Sequence, residues 1–329
     1  MKSFLSTNKK SILILFAVLV VGFLIGFFVP RSNTDEEPSS ELRLGSSSLT
    51  NPLLECDLGE TTIGSRKEDF TPDLVEFTES LKDRGDVSEI AVYYRDLNNG
   101  PVIGINQNIP FAPASLLKIP LMIAYLSWSE TLPSVLDEQV RFEGAVDVGY
   151  QQQFAPSMPL EAGTTYSIRT LLERMVIYSD NQALVILFER LPEEYQKELY
   201  TLLGVDTALI TDPVATLTVK QYSIFFRILF NASFLSRTNS EYALELLAKT
   251  TFVDGLRAGV PQDIVVAHKF GERKIANDLQ QFHDCGIVYY PNHPFLLCVM
   301  TRGNDANSLI GAIKETTEFV YGKIDEQYR

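Results

Sequence analysis

Ser115 and Lys118 stand three residues apart at the mouth of an apolar helical run, after Phe111-Ala112-Pro113-Ala114. Positions i and i+3 share a helix face, so hydroxyl and ammonium point into one space. A serine hydroxyl is a poor nucleophile without a base. A lysine serves as that base once desolvation and a nearby cation favour its neutral form. Placing the serine at a helix N-terminus also aims its backbone N–H at a developing oxyanion. The pattern alone decides little: Ser6-Thr7-Asn8-Lys9 repeats it, and a serine capping a core helix looks the same. Pro120 falls in the second turn, where it should weaken one helical bond.

Two later motifs widen the case. Ser179-Asp180-Asn181 follows Tyr178 between two helical segments. It makes a good N-cap for the helix through Ala183 and Leu187. It also offers a Ser179 hydroxyl to pass a proton to a leaving nitrogen, and Asn181 to hold a substrate amide and Lys118. His268-Lys269-Phe270-Gly271 closes an apolar strand. A lysine there is often a solvated strand end. In the functional reading, Lys269 supplies positive charge for a substrate carboxylate and depresses the pKa of Lys118. Gly271 lets a substrate backbone approach the strand edge.

The elements that must position these groups are legible in outline. A helix opens at Thr71 as N-cap, with Pro72 first inside it and Gly85 after it. Strands over 89–96 and 102–106 flank Asn98-Asn99-Gly100, a strong hairpin signal. Helical patterns follow at 115–129, 167–178, 182–190, 193–203, 218–232 and 239–248. Strands at 263–270, 281–290 and 295–302 then precede a last helix over 307–324. This order is α+β: a mostly antiparallel sheet built from both chain ends, flanked by helices, with an inserted all-helical lobe. The cleft between sheet and lobe is the natural place for a site.

The three motifs, in this order and these settings, resemble the serine β-lactamase and penicillin-binding protein superfamily, and class A β-lactamases most closely. The resemblance covers 67–329. It implies that Ser115 attacks a β-lactam or D-alanyl-D-alanine carbonyl while Lys118 takes its proton. Ser179 would protonate the departing nitrogen, Lys269 would draw in the carboxylate, and the N–H groups of Ser115 and Glu272 would form the oxyanion hole. Glu272 and Gly271 thus join Asn181 and Lys269 as substrate-binding residues. No cofactor or metal is implied.

Two departures matter. The Glu-x-x-Leu-Asn loop that carries the deacylating glutamate in class A enzymes is absent: residues 211–216 run almost directly into the helix at 218. Asp212 is the nearest carboxylate, in the setting of an ordinary turn residue before proline. Phe270 replaces a hydroxylated residue, which leaves Arg273 and Arg302 as cations that could compensate. Acylation is therefore expected to be intact and hydrolysis of the acyl-enzyme slow. A D,D-peptidase and a non-enzymatic tethered penicillin sensor or wall-binding module are the alternatives.

Composition bounds the rest. The net charge of −14 excludes the basic footprint that nucleic acid or anionic lipid would need. Cys56, Cys285 and Cys298 are too few for a disulfide framework. Cys285 and Cys298 flank a hairpin turned by Pro291-Asn292-His293-Pro294; two buried free thiols is the plain reading, a bridge the alternative. The three histidines show no metal-ligand spacing. Residues 11–29 form an uncharged apolar run with lysines before it and acids after it. They read as a single-pass anchor for the cell membrane, with residues 1–10 cytoplasmic and the catalytic domain extracytoplasmic. Residues 30–66, rich in Ser, Thr, Glu and Asn, read as a flexible linker.

Overall fold

Five strands make an antiparallel sheet in the computed structural model: β1 (Glu89–Asp96), β2 (Val102–Ile105), β3 (Val266–Ala276), β4 (Leu279–Val288) and β5 (Phe295–Gly303), in spatial order β2-β1-β5-β4-β3. The structure describes residues 42–43, 48–55, 69–98, 101–146, 152–210, 212, 214–276 and 278–329. The expected anchor at 11–29 lies outside them; among the described residues no helix is long and apolar enough to cross a membrane.

Strand residues alternate between two cores, as the two-residue period of a pleat requires. Ile90, Val92 and Tyr94 of β1 and Leu297 and Val299 of β5 face one core. It is completed by α1 (Thr71–Asp83) and the last helix, α8 (Ala306–Tyr328). Ala91, Tyr93, Leu296 and Met300 face the other core, under the inserted helices α2 (Lys118–Thr131), α3 (Ile168–Ile177), α4 (Asn181–Arg190), α5 (Glu193–Leu203), α6 (Val219–Phe230) and α7 (Arg237–Ala248). The α+β architecture expected from the element order is the one found.

Local differences have physical causes. Thr71 is the first residue of α1 rather than its cap; Phe70 occupies that position with no side-chain bond, and Asp69 Oδ1 accepts the Thr71 N–H instead. The helix expected from 115 starts as a 3-10 turn over Ala114–Leu117, and α2 begins only at Lys118. Pro120 therefore lies in the first α-helical turn, where N–H groups have no intrahelical partner anyway, so the expected weakening disappears. Cys285 and Cys298 face each other across the β4–β5 pair and are bridged, correcting the free-thiol reading. Part of the expected linker is docked. Leu49 is buried, the Glu241 carboxylate accepts the N–H groups of Leu49 and Thr50, and Asn51 N–H donates to Phe230 O.

Candidate active site

Ser115 sits in the tight turn between Phe111 and α2, and three elements hold that turn. Ala114, just before it, has φ of +50°, a left-handed conformation that reverses the chain into the 3-10 turn. Tyr222 from α6 donates its hydroxyl to Leu116 O at 3.0 Å. From β4, Gln281 Oε1 accepts the Ala112 N–H, and the His283 ring meets Ala112 O at 3.1 Å. From β3, Gly271 packs directly on the turn: a Cβ there would lie 3.1 Å from both Leu116 Cγ and Pro113 O. The glycine admits the Ser115 turn against the strand.

The Ser179 turn supplies the opposite wall. Ser179 has φ of +56°, an unusual value for a residue with a side chain, held between the end of α3 and the start of α4. Asp180 caps α4, its Oδ1 accepting the N–H groups of Gln182 and Ala183. The motif is thus both a helix cap and a wall of the site: Asp180 does the capping, which frees Ser179 and Asn181 to face inward.

Lys118 is the hub. Its Nζ lies 3.0 Å from Ser115 Oγ, 2.9 Å from Ser179 Oγ, and 2.7 Å from both Ser179 O and Asn181 Oδ1. Burial pushes this amine well below the ordinary lysine value, and the neighbouring Lys269 cation pushes it the same way. A neutral amine has two N–H bonds and one lone pair. The two oxygens at 2.7 Å can take both N–H bonds, which leaves the lone pair for the Ser115 O–H.

Lys269 completes the set from the edge strand β3. Its Nζ donates to Ser179 Oγ and to Phe270 O at 3.0 Å each, so Ser179 Oγ lies between two amines. Burial lowers Lys269 to about 7, with Asp284 and Glu272 pulling it back up. The Phe270 ring that replaces the expected hydroxyl lies 4.0 Å from Lys269 Nζ and stacks in a cluster with Phe252 and Phe282. Arg302 is committed elsewhere, paired with Glu89 and donating to Pro110 O. Asp212 is exposed, its Oδ1 accepting the Val214 N–H in a turn.

Ser115, Lys118, Ser179, Asn181 and Lys269 therefore converge, and Gly271 and Glu272 border them on β3. Sequence reasoning missed Gln152, Phe154, Tyr222, Asp284 and the side chain of Glu272. Only Tyr222 carried a signal, as a large polar residue on the buried face of an amphipathic helix.

With this geometry, residues 76–323 match the model of the β-lactamase enzyme family, and the chain belongs to that family. A comparison with curated proteins returns no match. Solved structures share the fold. A mutant of PBP-A, in its acyl-enzyme complex with penicillin G, aligns at a TM-score of 0.64 and 18% identity, covering 79% of this chain and 98% of that one. A β-lactamase from Chitinophaga pinensis aligns at 0.65 and 21%, covering 77% and 99%. One from Xanthomonas campestris pv. campestris aligns at 0.65 and 21%, covering 78% and 99%.

Proposed function

We propose that this chain is a serine hydrolase that forms an acyl-enzyme through Ser115 with a strained or activated amide, a β-lactam among them, and releases it slowly. The observation that carries this reading is Lys118 Nζ held 3.0 Å from Ser115 Oγ, with two oxygens at 2.7 Å to occupy its N–H bonds. Neutral Lys118 takes the Ser115 proton as Oγ bonds to the carbonyl carbon. The N–H groups of Ser115 and Glu272 receive the oxyanion. The bond to nitrogen breaks as Ser179 hands over its proton, which Lys118 then replaces.

Deacylation needs a base that activates water, and residues 211–216 carry no glutamate to supply it. General-base assistance is worth about 10²- to 10⁴-fold. Mixing the protein with a chromogenic cephalosporin should give a stoichiometric burst and an adduct on Ser115 by intact mass spectrometry, followed by slow turnover. Identical behaviour of wild type and Ser115→Ala overturns the reading, and fast sustained turnover overturns its slow half.

Localisation belongs to the same proposal: an extracytoplasmic domain tethered through residues 11–29. The Cys285–Cys298 bridge supports it, because disulfides persist in oxidising compartments. Protease shaving of intact cells should remove the domain; full protection would exclude that placement.

A further inference from the structure

The Glu272 side chain carries more than its backbone role requires. It is only 9% exposed, and its Oε1 accepts the N–H groups of Gln153 and Phe154 at 3.0 Å each. The Phe154 ring then packs edge-on into the Phe252–Phe270–Phe282 cluster, with centroids 5.2, 6.0 and 5.8 Å away. On the other wall, Gln152 Nε2 donates to Ser179 O at 3.1 Å. Residues 152–154 thus run from the Ser179 turn to the edge strand and fix the Glu272 carboxylate in place. Burial raises the Glu272 carboxyl above its ordinary value, while the N–H bonds from Phe154 and Gln153 and the charges of Lys118 and Lys269 pull it back down.

An incoming anion has little to gain here. Two N–H bonds of Lys269 are engaged with Ser179 Oγ and Phe270 O, and Asp284 and Glu272 already bear on its charge. Phe270 offers no hydroxyl, Arg302 is paired with Glu89, and the chain as a whole carries −14. A substrate carboxylate brought to Lys269 would come close to a second, immobile carboxylate in a poorly solvated cleft, where like charges repel strongly.

We propose that Glu272 makes this site discriminate against acyl donors with a carboxylate beside the scissile bond, so that its preferred substrates are neutral or cationic amides and esters. The inference rests on Ser115 being the nucleophile, and narrows what that nucleophile accepts. Two thioesters with one common acyl group test it, one releasing mercaptoacetate and the other mercaptoacetamide, with thiol release giving kcat/KM for the full chain.

Wild type should favour the neutral donor by about tenfold or more, and Glu272→Gln should erase most of that ratio. The glutamine oxygen can still accept the N–H groups of Gln153 and Phe154, and a thermal melt checks that the variant folds. Glu272→Ala supplies a second uncharged side chain, and the wild-type preference is read without any variant. If wild type takes the anionic donor equally well or better, or the ratio survives in both variants, the selectivity is overturned while Ser115 stands. If neither donor releases thiol faster than with Ser115→Ala, the nucleophile itself is lost and the inference goes with it.

Discussion

Removing the charge of Lys269 should move the proton on Lys118. Burial is the larger cause of the depressed Lys118 value, and the Lys269 cation is the next. Lys269→Met takes away the second cause, so the Lys118 value rises and its neutral fraction at a given pH falls. The acidic limb of the acylation profile should shift to higher pH, measured by adduct formation across pH 5–9. A limb that stays put, or moves lower, would separate the two amines. Ser115, Lys118, Ser179 and Lys269 were legible because each sits in a short motif whose spacing reflects its own local geometry. Phe154 was not, because its meaning depends on a strand more than a hundred residues away, nor was Gln152, whose partner is a backbone carbonyl in the separate Ser179 turn. The Glu272 side chain was hidden by its neighbour: the motif drew attention to its N–H and said nothing of its carboxylate.

Strand β3 holds the Ser115 turn by close approach, and Gly271→Ala tests this. The added methyl would press on Pro113 O and Leu116, so the turn must give by a few tenths of an ångström. Small displacements of a reacting group are costly; acylation should fall about tenfold or more, with the fold retained by circular dichroism. Acylation at the wild-type rate would show that the turn yields without cost. Strand β4 supports the same turn through His283, which burial pushes down to about 4. Its folded-state value is depressed, so the unfolded chain binds the proton first. Stability is full above about 6.5 and is lost as pH falls toward 4, by about 3 kcal/mol at most. Denaturant melts should show that loss, and His283→Asn should flatten it; parallel curves would exclude His283 as the source. The strands, the hairpin and most helices were legible from their periodicity. The late start of α2 was not, because a 3-10 turn and an α-helix share the same apolar spacing over four residues.

For the molecule as a whole, the order of elements was enough to specify a sheet made from both chain ends. The bridge between β4 and β5 was less legible, since two buried thiols and a disulfide need the same pairing of strands. Its closed loop is short, with a sequence separation of 13, and loop entropy alone assigns such a link about 3 kcal/mol. Calorimetry with reductant, or with Cys285→Ala and Cys298→Ala combined, should lower Tm by on the order of 5–10 °C; an unchanged Tm would show that the sheet is held without it. The docking of residues 49–51 was illegible because it depends on Glu241 and Phe230, far along the chain. The first and last helices carry one more consequence. Phe77 stacks on Phe319, Asp73 pairs with Lys323, and Arg84 pairs with Glu315, so α1 and α8 run antiparallel, with the start of α1 beside the end of α8. A short Gly-Ser joint could link 329 to 70, giving up the contacts of Leu49, Thr50 and Asn51, with new ends opened beside the exposed Val214, and such a circularly permuted chain should fold around the same five strands.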